Sequence, residues 1–326
     1  MPAPKKRPTA ADVARLSGVS TATVSYVLNR TAGQTIPEAT RDRVLAAARE
    51  LGYVPSAVAQ ALARGTSRAV ILDFSDLPYG ERAADVLRVF ATALRESGYI
   101  PVVNFLADGD EEHGFVRRMA AVLAPAAVIT VTPLADPTRA LIESPECRVI
   151  SLLSTREALL ESVAAAAAMQ VRYLAERGHT VIGYRGSAVP ELAEFSEARR
   201  RRAHDEAERL GLELHDLGAG TDHSDVLERL ARTARPVTAI AAYNDEVAAA
   251  LLGALHDGGH RVPDDIAVMG VDDLPLAEHL LPSLTTIRFG PDDDVAAADV
   301  VGMVEGRDLD VPRGVLPGVL VPRASA

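Results

Sequence analysis

The chain is 326 residues long, 48% hydrophobic and 24% charged, the proportions of an ordinary soluble protein with room for more than one domain core. It contains no run of 18 uncharged apolar residues, which argues against a membrane span, and the lone Cys147 excludes an internal disulfide framework. The net charge of −11 is unevenly spread: residues 1–65 hold nine Lys/Arg against four Asp/Glu, a net of +5, and the remainder carries −16. A basic head on an acidic body suits a protein that meets phosphates at one end. Lys5-Lys6-Arg7 leads into an amphipathic stretch and not an apolar signal core, so a cytoplasmic protein is expected. Cys147, before the apolar Val149–Leu153, reads as an inert buried thiol suited to a reducing compartment.

Thr9 with Asp12 three residues on is a capping-box start, and Ala10, Val13 and Ala14 place one apolar stripe on the helix that follows. Ser17-Gly18-Val19 is a tight turn, with Gly18 supplying the backbone freedom. Ser20 caps a second helix with Val24, Val27 and Leu28 inward and Thr21, Ala22, Ser25 and Tyr26 outward, Asn29 at its end. A third helix runs from about Pro37 to Leu51, with Val44, Ala48 and Leu51 inward and Arg41, Arg43 and Arg49 available to a phosphate backbone. This is the helix-turn-helix plan, whose second helix enters the DNA major groove. A plain helical bundle would share the stripes but not this order of cap, turn, hydroxyl-rich helix and basic helix. Beyond it, Ser56–Leu62 reads as a short helix whose Leu62 could wedge a minor groove open; burial of Leu62 against the body is the alternative.

After Arg68 short apolar runs alternate with helical stretches. Strands are expected at Val70–Phe74, Ile100–Phe105, Val128–Val131, Val149–Leu153, Val181–Tyr184, Leu212–Asp216, Ala239–Ala242 and Ala267–Val271. Helices are expected at about Gly80–Ser97, Glu111–Leu123, Ser162–Arg177, Glu197–Leu210, Ser224–Ala234 and Glu246–Asp257, several closed by glycine. Such alternation implies parallel sheets covered on both faces, here in two series that divide near residue 157. A ligand cleft then lies at the C-terminal ends of the strands.

The runs DVARLSGVSTATVSYVLN and TRDRVLAAARELGYVPSAVAQAL resemble the DNA-binding head of the lac repressor family of bacterial regulators. YLAERGHTVIGYRG, AIAAYNDEVAAALLGALHDGGHRVPDDIAVMGVDD and PSLTTIR resemble that family's sensor body, whose fold is shared with periplasmic sugar-binding proteins. The resemblance implies an all-α helix-turn-helix head over residues 1–55, a hinge helix over 56–65 and a two-lobed α/β body with parallel sheets over 66–326. Lobe 1 would take about 66–157 and 288–318, and lobe 2 about 158–287 and 319–326. It further implies that Thr21, Ala22 and Tyr26 face base edges, that Thr23, Ser25 and Asn29 hold phosphates, and that Leu62 is the wedge, with Val58 and Ala59 packing hinge on hinge. Tyr26 stands where the family commonly has arginine, a guanine reader, so the operator preference is expected to differ.

For the cleft the resemblance implies Asp76, Arg82, Arg199, Asn244 and Asp272 as effector contacts. Asn244 and Asp272 could instead serve only as cap and turn, and the run Arg199–Arg202 could be a solvated helix face. Leu153 and Phe289 stand where polar contacts are usual, so the effector is expected to be less hydroxylated than a free sugar, or the pocket to have drifted. Asp292–Asp294 reads as a helix start more readily than a metal site, the eight histidines lack ligand spacing, and no phosphate loop, nucleophile elbow or dinucleotide fingerprint occurs. The expectation is a cytoplasmic homodimeric repressor without cofactor or metal, binding a pseudo-palindromic operator under control of a small, sugar-like effector. The alternatives are control by a protein corepressor, or a small-molecule binding protein or enzyme on the same body.

Overall fold

The computed structural model describes residues 8–29, 36–53, 67–77, 81–105, 113–220, 225–289, 293–307 and 318–326, at Asn29, 81–82 and 293–295 the backbone alone. Two compact units result, Met1–Ser67 and Arg68–Ala326.

The first unit holds α1 (Ala10–Ser17), α2 (Thr21–Asn29) and α3 (Glu38–Leu51). Thr9 and Asp12 close the expected capping box: the Thr9 hydroxyl accepts from the Asp12 N–H, and the Asp12 carboxylate accepts from the Thr9 N–H at 2.9 Å. Gly18 ends α1 at φ 69°, the left-handed region where glycine carries no side-chain penalty. The Ser20 hydroxyl accepts from the Thr23 N–H at 3.1 Å and starts α2. Val13, Ala14, Val24, Val27, Val44, Ala47 and Ala48 form the buried core of the three helices, with Leu28, Leu51 and Tyr53 packed against it.

In the second unit β1 (Ala69–Asp73), β2 (Ile100–Asn104), β3 (Ala127–Thr130) and β4 (Arg148–Ser151) form a parallel sheet in the order β2-β1-β3-β4. Helices α4 (Glu81–Glu96), α5 (Gly114–Leu123) and α6 (Asp136–Ile142) connect them. A second parallel sheet, in the order β6-β5-β7-β8, comprises β5 (Val181–Gly186), β6 (Glu213–Ala219), β7 (Ala239–Ala242) and β8 (Ala267–Met269). It is wrapped by α7 (Arg156–Glu176), α8 (Ala193–Leu210), α9 (Asp225–Ala231) and α10 (Asp245–Asp257). Central strands alternate sides: in β7, Ile240 and Ala242 join one buried cluster while Ala239 and Ala241 join another.

Three features depart from the expected pattern. A short antiparallel pair, β9 (Thr286–Phe289) with β10 (Gly318–Val321), flanks α11 (Asp293–Glu305), which returns to pack on α4. Helix α6 went unanticipated, because its seven residues are too few to show a 3.6-residue period. Helix α7 begins at Arg156, earlier than the alanine run suggested, because Thr155 caps it by accepting from the Ala158 N–H at 3.1 Å. Asp293 opens α11, the helix-start role expected of the Asp292–Asp294 run. Cys147 is buried, and burial pushes its thiol up to about 11.

Candidate DNA-reading helix and ligand site

Helix α2 carries no charged side chain. Val24 and Val27 point into the core, so Thr21, Ala22, Ser25 and Tyr26 form the exposed face, with Tyr26 38% exposed. Thr23 is half-buried, and its hydroxyl lies 2.9 Å from that of Ser20, so the pair is partly engaged in starting the helix. Arg41, Arg43 and Arg49 are all exposed on α3. Of the DNA contacts expected from sequence, Ala59 and Leu62, with Val58, lie outside the described residues, as does the side chain of Asn29.

In the body the cleft residues fall into two groups. On the first sheet, Asp76 follows β1, and its carboxylate accepts from both the N–H, at 3.3 Å, and the hydroxyl of Thr132 after β3. Arg82 lies in α4, its side chain outside the described set. On the second sheet, Arg199 and Asp272 come together, with Arg199 Nη2 3.7 Å from Asp272 Oδ1. Asn244 sits nearby at the start of α10 but serves as its cap: Oδ1 accepts from the Val247 N–H at 3.0 Å and Nδ2 donates to Glu246 at 3.2 Å.

Arg199 is 4% exposed, while Arg200 pairs with Glu197 at 2.7 Å and Arg201 with the same carboxylate at 3.5 Å. The run therefore does not form one solvated face. A stripe at Phe195, Arg199, Ala203 and Ala207 turns Arg199 inward with the apolar residues. Its Nε donates to the Val163 carbonyl at 3.1 Å and Nη1 to the Tyr243 carbonyl. The guanidinium lies 4.4 Å from the Tyr243 ring centroid and 5.7 Å from that of Phe289, an aromatic surround that suits a planar cation.

The loop after β8 holds Asp272 and Asp273 at φ 108° and 53°, left-handed backbone that side chains other than glycine rarely adopt. Three bonds fix it. Asp272 N–H donates to the Ile287 carbonyl of β9 at 2.7 Å. Leu274 N–H donates to Asp245 Oδ2 at 2.8 Å, and Thr286 Oγ1 donates to Asp245 Oδ1 at 2.6 Å. Asp245 is fully buried, and burial pushes its carboxyl up to about 7, aided by the charges of Asp272 and Asp273 and opposed by those two hydrogen bonds. A Cβ at Gly270 would collide with Asp245 Oδ1, so glycine is required there.

Asp245, Tyr243, Thr132 and Gln170 were not anticipated from sequence. Gln170 is fully buried, and its Nε2 donates to the carbonyls of Ala242, Met269 and Gly270 at 2.9, 3.0 and 3.1 Å, gathering the ends of β7 and β8. A lone glutamine within an alanine-rich apolar helix was the available signal.

Between the groups, Arg156 Nη1 donates to the Asp76 carbonyl at 3.5 Å and Nη2 to Glu194 at 2.5 Å. One buried apolar cluster includes Phe74, Val131 and Leu153 of the first sheet's strand ends together with Leu159, Phe195 and Tyr243. Asp73 shares that end of the sheet: Asn104 Nδ2 donates to it at 2.8 Å and His113 Nδ1 lies 3.0 Å away. Burial would raise the Asp73 carboxyl, but the bonds from His113, Asn104 and Ser75 hold it below the usual carboxylate range. Among the described residues no group of three or more His, Cys, Asp or Glu could hold a metal ion, and no helix is long and apolar enough to cross a membrane.

Comparison with known proteins fits both halves. Residues 9–56 match the model of the bacterial regulatory proteins of the lacI family, and residues 171–326 match that of the periplasmic binding protein-like domain. The chain is 34% identical over 298 residues to the HTH-type transcriptional regulator GalS of Salmonella typhimurium, covering 85% of this chain and 84% of the relative. It is 31% identical to the HTH-type transcriptional regulator GalR of Escherichia coli, covering 85% and 83%, and 29% identical to the HTH-type transcriptional repressor PurR of Vibrio parahaemolyticus, covering 85% of each. The lac repressor dimer bound to operator and the anti-inducer ONPF shares the fold, with a TM-score of 0.73, 23% identity and coverage of 98% and 99%.

Proposed function

Since the chain belongs to the lacI family of bacterial regulatory proteins, and is a DNA-binding transcriptional regulator and not an enzyme, we propose that it acts in the cytoplasm as a homodimeric repressor of a two-fold symmetric operator. Two heads would present α2 to successive major grooves, with Thr9, Ser20, Thr23, Ser25 and Asn29 near phosphates and hinge residues Ala59 and Leu62 at the centre. A small effector would bind where Arg199 meets Asp272, with Asp76, Arg82 and Asn244 as further contacts. The observation that carries this reading is the capped three-helix head, whose second helix keeps a continuous polar and aromatic face out of the core.

The effector would act by preferring one arrangement of the body over another, which limits its influence to that difference, typically ~1–3 kcal/mol of coupling. Asp272 follows β8 and is bonded to β9, so a ligand held there bears directly on the strand that leads to α11. The polar groups at the site are largely matched to one another, and Leu153 is buried in the apolar cluster. This favours a ligand less hydroxylated than a free sugar. The alternative reading is that a protein corepressor supplies the control.

Selection of duplexes from a random pool by the purified protein tests the main reading. A symmetric site should be enriched, and a pool that stays random at moderate salt overturns it. Thermal shifts across a metabolite panel separate the two modes of control, and Asp272→Ala should abolish the shift while leaving operator affinity unchanged.

A further inference from the structure

We propose that α2 reads A·T base pairs through thymine methyl groups and lacks the chemistry to read guanine, with Ala22 and Tyr26 setting the preference. This rests on the regulator reading above and extends it to the class of base recognised. The exposed face of α2 consists of Thr21, Ala22, Ser25 and Tyr26. Positions 21 and 25, and 22 and 26, are one turn apart, so the four side chains form one continuous patch.

Each possible target can be weighed against that patch. Guanine shows two acceptors, N7 and O6, in the major groove, and is discriminated by a cation donating to both. Helix α2 has no Arg or Lys, and the exposed arginines of the head described here lie on α1 and α3. Cytosine shows a donor that an Asp or Glu would accept, and α2 has neither. Serine, threonine and tyrosine hydroxyls both donate and accept, so they fit any base edge and discriminate poorly. Besides Asn29 at the helix end, whose amide suits adenine and so the same A·T pair, what remains is apolar: the Ala22 methyl, the Thr21 γ-methyl and the Tyr26 ring. The apolar group in the major groove that distinguishes one base from the others is the thymine C5 methyl.

Tyr26 is also free for this role, since it takes no part in the buried core of the head. The head thus divides its labour: charge for phosphates on α3, shape and methyl contact for bases on α2.

The duplex enriched by the full-length protein provides the test. A·T pairs should occupy the positions that Tyr26→Arg alters, and replacing their thymines with uracil, which deletes only the methyl, should weaken binding several-fold. Tyr26→Arg should move one pair in each half-site to G·C with discrimination of roughly 5- to 150-fold. An enriched site with guanine already present at the pair that Tyr26→Arg alters would overturn the inference. So would uracil-substituted duplexes binding as tightly as the parent. Failure to enrich any duplex would instead count against the regulator reading, so the two failures are distinct.

Discussion

Asp245 concentrates the polar energetics of the Arg199–Asp272 cluster in one carboxyl. It is buried beneath the loop that carries Asp272 and Asp273 and accepts one hydrogen bond on each oxygen. Its pKa of about 7 lies above the ordinary carboxylate value, so the folded state holds a proton that the unfolded chain releases. Stability from this group is therefore complete at acid pH and is lost as pH rises through 7, by about 1.4 kcal/mol between pH 6 and 8. Asp245→Asn keeps the shape: its carbonyl can accept from the Leu274 N–H, and its amide can donate to the rotatable Thr286 hydroxyl. Urea denaturation at both pH values should show that loss in the parent but not in the variant; equal slopes would place the titration elsewhere.

The same residue scale shows what sequence reading could reach. Asp272 and Arg199 were both expected as effector contacts, and what the structure shows of them is their proximity, 3.7 Å between side chains. The four-arginine run hid which member turned inward, yet the Phe195, Ala203 and Ala207 spacing around Arg199 held that information. Asp245 carried no such signal, because Asn-Asp at a helix start reads as ordinary capping, and its depth is set by contacts from distant β9.

At the scale of elements, the alternation of apolar strands and glycine-closed helices made the two parallel sheets legible, since β1, β3, β5, β7 and β8 are buried along their whole length. The β9–β10 pair was not, because four-residue strands on either side of a helix show no alternation and their pairing is fixed by contacts remote in sequence. Helix α7 illustrates how an element is held in register. Gln170 Nε2 serves three carbonyls at the ends of β7 and β8, all in the interior. Gln170→Leu fills the same space but leaves those acceptors unmatched, which should cost about 1–3 kcal/mol of stability. Chemical denaturation followed by circular dichroism measures it. A change below about 0.5 kcal/mol would mean that the strand ends need no support from α7.

The whole molecule is polarised, with +5 on residues 1–65 and −16 on the remainder, and the head's buried cluster is built from its own residues. Two consequences can be measured together. Deleting residues 1–65 should abolish operator binding while leaving the thermal unfolding transition of the body in place, because that deletion removes no residue of the three other buried clusters. In the proposed homodimer, affinity should fall linearly with the logarithm of salt concentration, with a slope of about −0.9 per phosphate neutralised. Arg41 is exposed on α3, so Arg41→Gln should weaken all duplexes alike and reduce the slope by about 2 if each protomer loses one phosphate contact. An unaltered slope would remove Arg41 from the phosphate-binding face, and a headless body that still held its operator would transfer DNA recognition to the acidic part of the chain, where simple electrostatics opposes it.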